Sequence, residues 1–131
     1  MKNLDILLID DDELSNIYTV IKIKEFTQVP EVSICYNGEQ ALEYIKSKMS
    51  SGAALPDYIF LDIHMPIMNG LEFLEEYQYV EKKSKIIMLS TSILEEERAI
   101  ALKYDFVVDF INKPLKVELM KEIFSRSTVQ K

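Results

Sequence analysis

The hydrophobic pattern of the chain switches repeatedly between two periods. Tyr58-Ile59-Phe60-Leu61 is the cleanest short run, four apolar residues that meet a carboxylate at Asp62, with Pro66 beyond. Runs this short, bounded by turn residues, predict strands buried on both faces of a parallel sheet. Residues 4–9, 86–89 and 106–111 read the same way, and residues 31–36 alternate as a strand does. Between the runs, apolar positions recur at helical spacing. Asp12 stands as N-cap before Leu14, Ile17, Tyr18 and Ile21, and Asn37 before Ala41, Leu42, Ile45 and Met49, with Gln40 three residues after the cap. Ser50-Ser51-Gly52 ends that second helix. Leu71, Leu74, Tyr77 and Gln78 mark a third helix that fades near Lys82-Lys83. Ile93, Glu97, Ile100, Ala101 and Tyr104 mark a fourth, and Leu115, Leu119 and Ile123 a fifth. The Glu95-Glu96-Glu97 run reads as a solvated face or a first helical turn, where acids suit the dipole.

Five strands alternating with five helices predict an α/β fold, a doubly wound five-stranded parallel sheet with helices on both faces. Right-handed crossovers leave few topologies, of which the flavodoxin-like order 2-1-3-4-5 is among the commonest. No repeat, linker or low-complexity segment is visible. The expected organisation is one domain over residues 1–125, a short C-terminal tail over 126–131, and no output domain.

That strand order carries a chemical consequence. Strands 1 and 3 become neighbours at the switch point, so Asp10 and Asp11 would face Asp62 across one crevice. Three unpaired carboxylates there would raise one another's pKa values. A divalent cation removes the conflict, and all-oxygen ligands favour a hard ion such as Mg²⁺. Strand 4 ends beside the same crevice with the hydroxyl of Ser90, and strand 5 with the ammonium of Lys113. Metal, lysine and hydroxyl around a carboxylate suit a group with several anionic oxygens, such as a phosphoryl group. A carboxylate can itself attack phosphorus and become an aspartyl phosphate. Taken singly, Lys113-Pro114, Ser90 and the acid cluster each read as ordinary surface or turn residues. Their joint placement at the ends of four strands is what points to chemistry.

Composition narrows the partners. Fifteen Lys and Arg against 22 Asp and Glu give a net charge of -7, which disfavours nucleic acid as a direct partner. The single cysteine, Cys35, excludes an intrachain disulfide and reads as a small core residue. No signal peptide or membrane-spanning run is visible, so a cytoplasmic protein is expected, with no membrane partner. No Gly-rich Lys-Ser/Thr loop is present, which disfavours phosphate-binding NTPase chemistry.

Asp10-Asp11 after an apolar strand, Leu61-Asp62-Ile63-His64-Met65-Pro66 with Gly70 beyond, Met88-Leu89-Ser90 and Asn112-Lys113-Pro114 together resemble the receiver domain of two-component response regulators. The likeness spans nearly the whole chain. It implies that Asp62 is the phosphoacceptor and that a histidine kinase or a small phosphodonor supplies the phosphoryl group. It assigns Asp10, Asp11, Asp62 and the backbone carbonyl of His64 to Mg²⁺, and Lys113 to the phosphoryl oxygens. The Lys113-Pro114 bond would be cis. Ser90 would move toward the phosphoryl group after transfer, and Phe110 holds the aromatic switch position. Two features depart from the family pattern. The hydroxyl position is more often Thr, with a small residue after it. Here Ser90 is followed by Thr91, so either hydroxyl remains open as the working one. Phe110 lacks a hydroxyl, so only apolar burial can drive its inward rotation. His64 and Ser92 are expected to influence how water reaches the acyl phosphate, rather than to bind metal through the imidazole.

The leading expectation is a phospho-switch, not a turnover enzyme, read by a separate protein on the surface of the fourth helix, fifth strand and fifth helix. A relay that passes the phosphoryl group to a histidine-containing protein is the alternative. Asp10-Asp11-Asp12 also contains the Asp-x-Asp pattern of haloacid dehalogenase-type phosphatases, in which Asp10 would be the nucleophile. A pseudo-receiver that only binds partners is a third class.

Overall fold

The structure is a computed structural model and describes residues 4–26, 32–80 and 83–129, with the backbone alone for 126–129. Glu31 and Lys82, both used in the sequence reading, lie outside the described residues, as do residues 130 and 131. The elements are β1 (Ile6–Ile9), α1 (Glu13–Phe26), β2 (Val32–Cys35), α2 (Gly38–Ser51), β3 (Tyr58–Leu61), α3 (Gly70–Tyr77), β4 (Lys85–Ser90), α4 (Glu95–Leu102), β5 (Val107–Asn112) and α5 (Val117–Val129). The five strands are parallel and ordered β2-β1-β3-β4-β5. No described helix is long and apolar enough to cross a membrane.

Strand alternation sorts the core into two layers. Leu7, Ile9, Ile59, Leu61 and Met88 face α2, α3 and α4, whereas Ile6, Leu8, Phe60, Ile87 and Leu89 face α1 and α5. Every residue of β1 and β3 is buried, as a doubly covered strand requires. Cys35 is a buried member of the first layer, and burial pushes its thiol up to about 11.

The helix boundaries follow local chemistry. Asp12 Oδ1 accepts from the Leu14 and Ser15 N–H groups, and Asn37 Oδ1 accepts from that of Gln40. Gly52 ends α2 in the left-handed region at φ 74°, donating its N–H to Met49. A capping box that the sequence reading passed over starts α3, with Asn69 and Glu72 each accepting from the other's N–H. The fifth helix continues to Val129, into the stretch read as tail. Nothing there is a Pro or Gly that would stop it.

The stripe that marks α1 in the sequence does not face the sheet. Leu14, Ile17, Tyr18 and Ile21 are 78%, 53%, 40% and 50% exposed, and the buried residues are Asn16, Thr19 and Ile23. In α4, Ile93 lies before the helix and is 90% exposed, and Ala101 is the buried member of the expected stripe.

Candidate functional site

Strand register builds the crevice. Ile9 and Leu61 are partners in the β1–β3 pair, so the residues that follow them, Asp10 and Asp62, emerge side by side. The Asp62 N–H continues the ladder to the Ile9 carbonyl at 2.9 Å, and that of Asp10 to the Cys35 carbonyl at 3.0 Å. On the other side Ser90 pairs with Asn112, and the Lys113 N–H reaches the Ser90 carbonyl at 2.9 Å. Four strand ends therefore deliver their side chains to one edge.

There the Lys113 ammonium lies 2.5 Å from Asp10 Oδ2 and 3.6 Å from Asp62 Oδ2. Asp10 also accepts from the Asp12 N–H at 3.0 Å, so both its oxygens are engaged. The Asn16 amide, buried under the loop, donates to the Asp10 carbonyl at 3.0 Å. Asp62 Oδ1 accepts from the Ile63 N–H at 2.8 Å. Burial pushes the Asp62 carboxyl above the ordinary carboxylate range. Lys113 pulls it back, Asp10 pushes it up again, and the Ile63 N–H and Ser90 hydroxyl pull it down. A buried carboxylate short of compensating charge favours the binding of a cation. One oxygen each from Asp10, Asp11 and Asp62 lies within 4.8 Å of the others, and Asp11 is exposed. Three carboxylates open to solvent on one side fit a hard ion that keeps several waters.

The two candidate hydroxyls differ in burial. Ser90 is buried and its hydroxyl helps pull the Asp62 carboxyl down, whereas Thr91 is exposed. The peptide bond between Lys113 and Pro114 is cis. Phe110 is buried in the layer that also holds Met88 and Ala101, and the Arg98 guanidinium of α4 lies 5.4 Å from its ring centre. The imidazole of His64 points out from the β3–α3 loop rather than into the carboxylates, with its Nε2 2.9 Å from Glu97 Oε2.

The loop after Asp62 returns tightly on itself. The Gly70 N–H donates to the Ile63 carbonyl at 2.7 Å, and a Cβ at position 70 would stand 2.2 Å from the Asp62 carbonyl oxygen. Gly38, at the start of α2, donates to the Met68 carbonyl at 2.9 Å. Between them Ile67 adopts φ 69°, a left-handed conformation that β-branched residues strongly disfavour.

Two contributors escaped the sequence reading. In the sequence Glu97 reads as the polar member of the fourth-helix stripe and as part of the acidic run with Glu95 and Glu96, yet its carboxylate bonds both His64 and Ser92. Asn112 uses its amide to hold the Ser92 carbonyl at 2.9 Å. Neither had a local signal, because each partner lies 20 or more residues away, apart from the Ser92–Glu97 pair.

A parallel sheet in this order, with acids, a hydroxyl and a lysine at its carboxyl edge, defines a flavodoxin-like α/β signalling domain. Residues 6–125 match the response regulator receiver domain, and the chain belongs to that family. The chain is 30% identical over 129 residues to the probable C4-dicarboxylate response regulator DctR of Bacillus subtilis, covering 95% of this chain and 52% of that protein. It is 33% identical over 115 residues to a protein-glutamate methylesterase/protein-glutamine glutaminase of Desulfotalea psychrophila, covering 87% of this chain and 30% of that one. The chain thus spans from under a third to about half the length of these relatives. The crystal structure of a two-component response regulator from Cytophaga hutchinsonii superposes with a TM-score of 0.85 at 27% identity, covering 95% of this chain and 97% of that one.

Proposed function

We propose that the chain is a phospho-accepting switch in which Asp62 takes a phosphoryl group from a histidine kinase or a small phosphodonor. What carries this reading is the convergence of Lys113, Ser90 and three carboxylates on one crevice. Asp62 is the better nucleophile of the two buried acids. Both oxygens of Asp10 are engaged, whereas Asp62 Oδ2 meets Lys113 only at 3.6 Å. This argues against the phosphatase reading, in which Asp10 would attack. Attack forms the Asp62 O–P bond as the donor's bond to phosphorus breaks.

Asp10, Asp11, Asp62 and the His64 backbone carbonyl would hold Mg²⁺, which when bound neutralises phosphoryl oxygens during transfer. Lys113 then leaves Asp10 to pair with the phosphoryl group, and Ser90 turns from the carboxylate to the new oxygens. Phe110 already sits inward under Arg98, so its burial needs no hydroxyl partner. The face of α4, β5 and α5 is the output surface, with a groove along Phe110, Asn112, Lys116 and Leu119 and exposed Ile100, Leu102 and Val108 nearby. A separate cytoplasmic protein would read it.

The exposed stripe of α1 favours a protein phosphodonor or a relay partner. It begins at Leu14, just beyond the acids, so a histidine-bearing protein that reaches Asp62 also covers it. Incubation with acetyl phosphate and Mg²⁺ should add about 80 Da by intact mass, one phosphoryl group. Asp62→Asn should abolish the addition. Labelling that survives in Asp62→Asn and is lost in Asp10→Asn would instead establish the phosphatase chemistry.

A further inference from the structure

Two loops leave the carboxyl edge of the sheet on either side of Asp62. The β3–α3 loop carries His64, two residues beyond Asp62, and the β4–α4 loop carries Ser92, two residues beyond Ser90. One carboxylate joins them. Glu97, in the first turn of α4, accepts from the Ser92 hydroxyl on one oxygen and meets His64 Nε2 at 2.9 Å on the other. Its neighbours Glu95 and Glu96 are exposed, whereas the Glu97 side chain is 18% exposed. Ser92 hydroxyl and His64 together hold its carboxyl below the usual carboxylate range.

Ser92 is fixed on every side. Its N–H donates to Ser90 Oγ at 3.1 Å, its hydroxyl oxygen accepts from the Leu94 N–H at 3.3 Å, and its carbonyl accepts from Asn112. Ser90 in turn is buried at the end of the strand beside that of Asp62, and its hydroxyl helps pull the Asp62 carboxyl down. The contacts run from Ser90 through Ser92 and Glu97 to His64, which stands two residues beyond Asp62. We propose that Glu97 is a positioning residue that sets the lifetime of phosphorylated Asp62, by strapping His64 and Ser92 together across the mouth of the crevice. The inference rests on Asp62 being the phosphoacceptor.

The physical argument is one of access. Water attacks an acyl phosphate in line, opposite the bond that breaks, so it must enter from the side facing away from Asp62. His64 and Ser92 each follow a crevice residue by two positions, so the link between them borders that approach. With Glu97 gone, two side chains lose their common anchor and the opening widens. The strap also ties α4 to the site, because the next residue, Arg98, lies over Phe110.

The test follows loss of the phosphoryl group by intact mass after labelling with acetyl phosphate and removal of the donor. Glu97→Ala should shorten the half-life threefold or more at an unchanged thermal midpoint. Glu97→Gln keeps an acceptor for Ser92 and an amide donor that can meet a ring nitrogen of His64, so it should restore most of the lifetime. In a His64→Ala/Ser92→Ala background, Glu97→Ala should add nothing, because a residue acting through those two has nothing left to position. A normally labelled Glu97→Ala with wild-type decay overturns the strap alone. So does an effect that adds in full to the double substitution. Absence of label on the wild-type protein overturns the phosphoacceptor reading and the strap with it.

Discussion

Replacing Lys113 by alanine removes the ammonium that lies 2.5 Å from Asp10 and 3.6 Å from Asp62. The lysine side chain is 13% exposed and those of the two acids 1% and 11%, so little solvent screens the loss. Deleting one member of a buried ion pair costs about 3–5 kcal/mol, and the opening toward exposed Asp11 favours the lower figure. Unfolding entropy of about 2.1 cal/mol/K per residue then converts about 3 kcal/mol into a fall of about 11 °C in Tm for a chain of this length. The loss should depend on pH with a definite sign. Burial, opposed by Lys113, holds the Asp62 carboxyl above its ordinary value. The folded chain therefore binds that proton more tightly than the unfolded chain. The stability this brings is full below the ordinary carboxylate range and is lost as pH rises through the folded value. Without Lys113 that value rises further, so the penalty is greatest at neutral and alkaline pH and shrinks under mild acid. Thermal unfolding by circular dichroism in EDTA at two pH values, then with Mg²⁺, measures all of this. Added Mg²⁺ should recover part of the loss by supplying positive charge to the same oxygens. A fall under about 4 °C, equivalent to roughly 1 kcal/mol, would refute the reasoning. So would a loss indifferent to both pH and Mg²⁺.

Three further outcomes follow from other parts of the molecule. Ile67→Asn should raise stability by about 1 kcal/mol in denaturant unfolding, because the left-handed backbone is relieved and the exposed side chain forfeits little burial. Ile17→Ser with Ile21→Ser should change stability by less than about 0.5 kcal/mol per site, unlike a core substitution, and leave acetyl phosphate labelling intact. The same pair should slow phosphotransfer from a histidine-phosphorylated protein. Cys35, with its thiol raised to about 11 by burial, should resist alkylation at about pH 8 in the native protein and react once denatured.

The sheet was legible because doubly covered strands leave continuous apolar runs, and the acids at their ends needed only the strand order to meet. Asp12, Asn37 and Gly52 were legible because caps act over three or four residues. The orientation of α1 was not. Its inward face carries Asn16 and Thr19, and Asn16 is spent on the Asp10 carbonyl, so the side that looks polar is the buried one. Periodicity reveals a stripe without saying which way it turns. The bond between Glu97 and His64 spans 33 residues and arises only when α4 docks beside the β3–α3 loop.

The stitching of that loop has a directional consequence. Toward α2 it is held by a main-chain bond, Gly38 to Met68, and it is closed on itself by another, Gly70 to Ile63, with no room for so much as a methyl group at either glycine. Toward α4, among the described hydrogen bonds, it is held by the Glu97 carboxylate on a rotatable stem. Were charge added at Asp62, as proposed, the softer restraint toward α4 would yield before the α2 flank did.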